Sequence, residues 1–435
     1  MKLWSKENTK TSEMVEAFTV GRDREFDLML ARHDVDGSIA HVMMLGEAGL
    51  LTSDEAVAAV KGLREILAEV DKGSFRIEDG IEDVHSQVEF LLTQRIGDTG
   101  KKIHSGRSRN DQVAVDIKLY LRHSVNELKS EIHQLFDLLI SRSERHKDVL
   151  LPGYTHLQVA MPSSFGLWLG AYAESLVDDM EMLAAAYAVA DKNPLGSGAG
   201  YGSSFPLQRK RTTELLGFAT LNWNSAYAQM SRGKTEKLVA MAIASVAATL
   251  SRLSMDACLY LGQDFGFISF PSDLTTGSSI MPHKKNPDVF ELIRGKCNRL
   301  QSLPNELTLL TSNLPSGYHR EMQLTKEILF PAFTELRDCL AMMQLMISSM
   351  KVEPDILQQE KYRYIFSVEA VNKLVNEGIP FREAYQTIGR KIEEGSFSFD
   401  ISEPLHHTHE GSIGNLCNNE IRLEMEKVML KFKTQ

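Results

Sequence analysis

Four short polar stretches hold most of the side chains in this sequence that are suited to chemistry on a small molecule. They are KKIHSGRSRNDQ (101–112), PGYTHLQVAMP (152–162), GSSIMPHKKNP (277–287) and NLPSGYHREMQLTKE (313–327). Between them they supply cations (Arg107, Arg109, Lys284, Lys285, Lys326), amides (Asn110, Gln112, Gln158, Asn286, Gln323) and hydroxyls (Ser105, Ser108, Thr155, Ser278, Ser279, Tyr318). His156 adds an imidazole, a side-chain type able to serve as acid or base. Arginine grips carboxylates bidentately, and amides and hydroxyls complete such a shell, so the set suits an anionic, carboxylate-bearing small molecule. Clustered cations would also focus an anion that the net charge of −10 otherwise repels. No metal cage is evident, because His85, His104, His156, His283 and His319 sit on separate segments without H-x-x-x-H spacing. Each stretch taken singly also has an ordinary reading. Ser108, Asn110 or Asp111 can cap a following helix, His156 can be a hydrogen-bonded residue at a helix end, and 277–287 can be a solvated turn.

The elements that must carry these stretches read as helices. No proline occurs before Pro152, and none between Pro206 and Pro271, which leaves room for long uninterrupted helices. Ile117, Leu121, Val125, Leu128, Ile132, Leu135 and Leu139 recur at spacings of four and three, the stripe of one long amphipathic helix. Residues 234–262 are apolar or small on nearly every face, as in a helix surrounded by other helices. Segments 163–192 and 332–350 have similar patterns, and strand-like alternation is scarce. The expected fold is all-α, with an N-terminal helical domain (1–105), a central bundle of long helices (106–350) and a small C-terminal helical domain (351–435). So apolar a bundle is expected to continue into neighbouring subunits of a homo-oligomer. The glycine-rich patch PLGSGAGYGSS (194–204) lacks both the G-x-G-x-x-G and P-loop spacings, so a tight turn between helices or a substrate-facing loop is the better reading.

Bulk properties narrow the function classes. The excess of acidic over basic residues, 58 to 48, argues against a nucleic-acid surface. The four cysteines (Cys258, Cys297, Cys339, Cys417) are widely spaced, as in a reduced compartment without structural zinc. The polar N-terminal segment lacks the apolar core of a signal peptide, and no apolar run reads as a membrane span, so a cytoplasmic protein is expected.

GSSIMPHKKNP resembles the G-S-S-x-M-P-x-K-x-N-P signature of the fumarase/aspartase superfamily. HSGRSRNDQ is similar to a segment of its argininosuccinate lyase branch that other branches do not share. The other two stretches are similar to that branch as well. The match extends in register from about Asp34 to Lys326, and EDVHSQVE (82–89) and PLGSGA (194–199) fall within it. The resemblance implies removal of a proton beside a carboxylate and expulsion of a guanidine nitrogen, releasing fumarate. It implies Ser278 as general base, with Ser279 its neighbouring alternative. It also implies Lys284 and Asn286 at the developing dianion, and His156 as a second acid/base group held by Glu291. Substrate contacts carried over by position are Arg109, Asn110, Thr155, Asn286, Tyr318, Gln323 and Lys326. In the family, sites form where three subunits of a homotetramer meet, and no cofactor is implied. Two alternatives are an adenylosuccinate- or aspartase-like lyase and a catalytically silent structural homologue.

Some segments depart from the family pattern. The start usually reads W-G-G-R-F and here reads LWSKENTK (3–10). The family's N-x-S-I-x-x-D segment, whose serine touches substrate, appears as FTVGRDREFD (18–27), and no serine occupies the expected place. Thr19 and Arg22 are conceivable substitutes, and neither is assigned. Downstream, FSVEAVNKLV (366–375) replaces the usual A-T-D-L-A motif, whereas GIPFREAY (378–385) stays close to its counterpart. The tail LHHTHEGSIGNLCN (405–418) holds three histidines at poor ligand spacing and reads as a polar loop.

Overall fold

The computed structural model describes residues 13–401, 405 and 407–432. The divergent start at 3–10 and His406 of the tail lie outside the described residues. In chain order the first elements are α1 (Glu13–Val20), α2 (Asp23–Glu47), α3 (Ser53–Asp71), α4 (Val84–Ile96) and α5 (Arg109–Arg145). An antiparallel hairpin follows, β1 (Leu150–Thr155) and β2 (Gln158–Ser164), leading into α6 (Phe165–Ala190). Then come β3 (Lys192–Asn193), α7 (Arg209–Leu215), β4 (Thr220–Leu221), α8 (Ser225–Met230) and α9 (Lys234–Leu261). The remainder is β5 (Ile268–Ser269), α10 (Asp288–Leu300), α11 (Leu303–Leu310), α12 (Leu324–Ser349), β6 (Lys351–Val352), α13 (Ser367–Asn376), α14 (Phe381–Glu393) and α15 (Asn418–Met429). The strands pair only in twos, β3 parallel to β4 and β5 antiparallel to β6. The fold is thus helical, as the sequence pattern leads one to expect.

Helices α5, α6, α9 and α12 pack into the central bundle, with α10 against α9 and α12. The α5 stripe from Ile117 to Leu139 is almost wholly buried. Small residues such as Ala173, Ala240 and Ala247 line the inner faces of α6 and α9 and allow close approach. Polar clasps fix the register between these two helices. Trp168 Nε1 and Tyr172 Oη both donate to Asp256 Oδ2 at 3.0 and 2.6 Å, and Thr249 Oγ1 donates to Asp179 Oδ2 at 2.6 Å. Helix α9 has the length and apolarity of a membrane span, yet most of that window is buried in the bundle, as in a core helix. Helix α12 begins ahead of the stretch expected from the sequence and runs through Pro331. A smaller core joins α2, α3 and α4 through Val35, Leu45, Leu63, Ile66, Val84 and Leu92. Another joins α13 and α14 through Val371, Ala384, Ile388 and Phe397. Ile421, Met425 and Val428 of α15 belong to the central core instead, because α15 packs on α6.

The glycine-rich patch turns out to serve α5. Gly196, Gly198, Gly200 and Gly202 all have positive φ, and the N–H groups of Gly196 and Gly198 donate to Asp111 Oδ2 at 3.0 Å each. Alternating conformations of this kind make a concave anion nest, and here the anion is the chain's own carboxylate. Asp111 also accepts from Ser108 N at 2.8 Å, completing a capping box at the start of α5. Burial pushes the Asp111 carboxyl up to about 6 against these donors, so it is ionised at neutral pH. Asp111→Ala would strand two buried N–H groups and a half-buried third. It is expected to lower the unfolding free energy by about 3 kcal/mol, measured by denaturant titration; a loss below about 0.5 kcal/mol would mean that water replaces the carboxylate.

Candidate active site

Four helices open their N-termini on one cavity of about 250 Å³. Asp23 and Asp27 come from α2, and Glu82, Asp83 and His85 from the entry of α4. Arg109, Asn110 and Val113 come from the first two turns of α5, Tyr318, Arg320 and Gln323 from the approach to α12, and Lys326 from its first turn. Val20 and Arg232 complete the wall. The chain folds this way because each helix carries its own start signal. Asp83 caps α4 through Ser86 N at 2.8 Å, and Ser108 caps α5 through Asn110 N at 3.2 Å. Converging N-termini present unpaired N–H groups and the positive ends of helix dipoles, which favour an anionic ligand.

The cavity's own charges are closely paired. Lys326, 2% exposed, sits between Asp23 at 2.8 Å and Asp27. Burial works to lower its pKa, but the two carboxylates outweigh that and hold it above the usual lysine value. Arg109 reaches Asp83 at 3.1 Å, Glu82 at 3.2 Å and Ser86 Oγ at 2.6 Å. Burial works to raise the Asp83 carboxyl, but the charges of His85 and Arg109 and the Ser86 bonds outweigh it and leave it below the usual carboxylate range. Gln323 Nε2 and Arg320 Nη2 each donate to the Thr19 carbonyl at 3.0 Å.

Behind this wall lies a buried His–Asp cluster. His85 Nδ1 is 2.7 Å from Asp34 Oδ1 and 3.5 Å from Asp116. Burial opposes a charge on His85, but Asp34, Asp83 and Asp116 overcome it and push its pKa to about 10. The ligand atoms of Asp34, His85 and Asp116 lie within 4.8 Å of one another, a spacing that suits a metal ion. An imidazolium has no lone pair to give, so at neutral pH the proton fills the role a cation would take.

The remaining candidate residues are not in this cavity. Asn286 anchors the 277–287 loop, its N–H donating to Thr276 O at 2.9 Å and its Nδ2 to Thr276 Oγ1 at 3.3 Å. Ser278 Oγ, half-buried, accepts from Met281 N at 3.1 Å and Ile280 N at 3.3 Å. Ser279 and Lys284 are exposed, as is Glu291 in the first turn of α10. Thr155 and His156 stand at the exposed tip of the β1–β2 hairpin, not at a helix end. His156 and Leu157 both have positive φ (52° and 59°), the backbone of a two-residue type I′ turn, which side chains other than Gly, Asn or Asp rarely adopt. Among the described residues, His156 and Glu291 make no hydrogen bond or ion pair with each other. The single chain therefore gathers Arg109, Asn110, Tyr318, Gln323 and Lys326. The loop group (Ser278, Lys284, Asn286, Glu291) and the hairpin group (Thr155, His156) stand outside that cavity.

Residues 6–302 match a protein-family model described as a lyase. Over 428 residues the chain is 59% identical to the argininosuccinate lyase of Bacteroides thetaiotaomicron, covering 98% of this chain and 95% of that relative. The chain belongs to the argininosuccinate lyase family. It is 58% identical to the argininosuccinate lyase of Bacteroides fragilis over 434 residues, covering 100% of this chain and 96% of the relative. A crystal structure of the class II fumarase from Schistosoma mansoni, 17% identical, superposes with a TM-score of 0.74 over 96% of this chain and 93% of that one, so the two share a fold. The protein is a lyase of the fumarase/aspartase superfamily.

Several cavity residues have no role in the sequence reading. Asp23, Asp27, Arg232 and Arg320 are scattered along the chain, and only folding brings them together. His85 and its neighbours lie in EDVHSQVE, a segment whose register signalled importance without indicating chemistry. In the divergent 18–27 segment neither Thr19 nor Arg22 lines the cavity. The Thr19 hydroxyl donates to Val15 O at 2.8 Å and Arg22 pairs with Glu25 at 2.9 Å, while Val20, Asp23 and Asp27 form the wall.

Proposed function

We propose that this lyase converts argininosuccinate reversibly to L-arginine and fumarate, the last step of arginine biosynthesis, as a cytoplasmic homotetramer. The observation that carries this reading is the composition of the cavity. Arg109, Asn110, Tyr318, Gln323 and Lys326 share it with carboxylates, and argininosuccinate has carboxylates at both ends together with an ammonium and a guanidinium. Ser278 Oγ takes the proton from the carbon beside the succinyl carboxylate. The C–N bond to the neighbouring carbon then breaks, its electron pair leaves with the guanidine nitrogen, and a carbon–carbon double bond forms. Lys284 and Asn286 stabilise the dianionic aci-carboxylate. His156, oriented by Glu291, is the second acid/base group, and Thr155 and Asn286 add substrate contacts. Because the loop and hairpin groups stand outside the cavity within one chain, the complete site draws them from neighbouring subunits. The division into N-terminal (1–105), central (106–350) and C-terminal (351–435) domains belongs to the same proposal.

The experiment is fumarate release, followed by ultraviolet absorbance, from argininosuccinate, adenylosuccinate and aspartate in parallel. Release from argininosuccinate alone is the expected result. Release only from another substrate would transfer the assignment to that leaving group, and none from any, by a folded oligomer, would leave a structural role.

A further inference from the structure

We infer that Asp23 is a specificity-determining residue of this site, its carboxylate receiving the α-ammonium at the amino-acid end of the substrate; the inference rests on the argininosuccinate reading above. Asp23 opens α2 and lines the cavity, with its side chain 22% exposed, whereas its partners Lys326 and Asp27 are 2% and 3% exposed. Lys326 alone would draw a carboxylate. Two acidic partners offset it, and Arg232, which also lines the wall, is paired with Glu236 at 2.9 Å, so the triad keeps a net negative charge that draws a cation instead.

The other acids of the wall have their cations close by. Glu82 and Asp83 are held by Arg109, and Glu82 also meets Arg320 at 3.5 Å. Asp27 takes Lys326 and the N–H of Val84 at 3.4 Å. Asp23 engages Lys326 through Oδ1, and its second oxygen makes no hydrogen bond among the described residues and is not among the buried, unpartnered atoms, so it faces the open space. Among the described residues, that leaves Asp23 as the wall carboxylate with one oxygen open to a ligand donor.

The position of the breaking bond decides which substrate cation this is. Ser278, Lys284 and His156 stand outside the cavity and must approach through its mouth. The bond they break adjoins the guanidinium, so that group stays at the mouth, and the remote α-ammonium reaches the buried floor where Asp23 and Lys326 lie. Asn110, Tyr318 and Gln323 then remain as donors for the α-carboxylate.

Asp23→Asn keeps the side-chain shape and leaves Lys326 paired with Asp27, so the variant retains a neutral pair and should fold. Arginine and Nα-acetylarginine, which lacks the ammonium, are titrated calorimetrically into the assembled enzyme. Wild type is expected to prefer arginine by about 10-fold or more, and Asp23→Asn to bring that ratio close to one. With argininosuccinate, the variant's loss should fall on KM more than on kcat. A preference unchanged in both Asp23→Asn and Asp23→Ser would overturn the assignment. Wild type that releases no fumarate from argininosuccinate would instead sink the functional reading, so the two failures are distinguishable.

Discussion

Ser278→Ala is expected to reduce kcat by about 1,000-fold or more, with KM within a few-fold of wild type and the oligomer unchanged by size-exclusion chromatography. The proton lies beside a carboxylate, and removing it places a second negative charge there, so the base bears directly on the slow step. A serine hydroxyl is a weak base until something stabilises its alkoxide. The backbone N–H groups of Met281 and Ile280 already converge on Ser278 Oγ, a geometry that holds an oxyanion better than a neutral hydroxyl. Ser279 is exposed and has no such pair of donors among the described residues. This difference favours Ser278 between two neighbours that the sequence leaves equivalent. Retention of more than about a tenth of wild-type kcat would move the base elsewhere, and Ser279→Ala would then be the informative companion.

The bundle was legible because burial imprints a period on sequence. The α5 stripe and the all-round apolarity of α9 are direct consequences of what each helix touches. The hairpin was not legible, and the reason is local. Its strands carry Pro152 and Pro162, and its turn is His156–Leu157 in place of the Asn-Gly or Asp-Gly that usually announces such a turn. A strained tip with a histidine at its centre is tolerated where position matters more than local stability. The glycine patch was ambiguous for another reason. Its spacing excludes nucleotide loops, but that its anion is Asp111 depends on a contact spanning dozens of residues. The cavity was half legible. Its amides, hydroxyls and cations sit in recognisable stretches, whereas Asp23 and Asp27 lie where the family pattern leads one to look for a hydroxyl. A search for the missing serine passes over a carboxylate that reverses the local charge.

Mixing Ser278→Ala subunits with His156→Ala subunits is expected to recover activity that neither variant has alone. On the proposed roles each parent oligomer lacks one catalytic group in every site, so each should be nearly inactive. Within one chain the Ser278 loop and the His156 hairpin tip are largely exposed, make no hydrogen bond or ion pair with each other among the described residues, and do not line the Arg109–Lys326 cavity. If one site takes its loop from one subunit and its hairpin from another, random mixing pairs an intact loop with an intact hairpin in about a quarter of the sites. The mixture should therefore reach about a quarter of wild-type kcat, a gain of two orders of magnitude or more over either parent. If instead each site used the loop and hairpin of the same chain, no arrangement of the two variants would supply both groups, and activity would stay at the parental level however completely the subunits exchanged. Mass spectrometry of differently tagged subunits establishes the exchange independently, so a mixture that is shown to be hybrid and remains inactive would exclude a shared site.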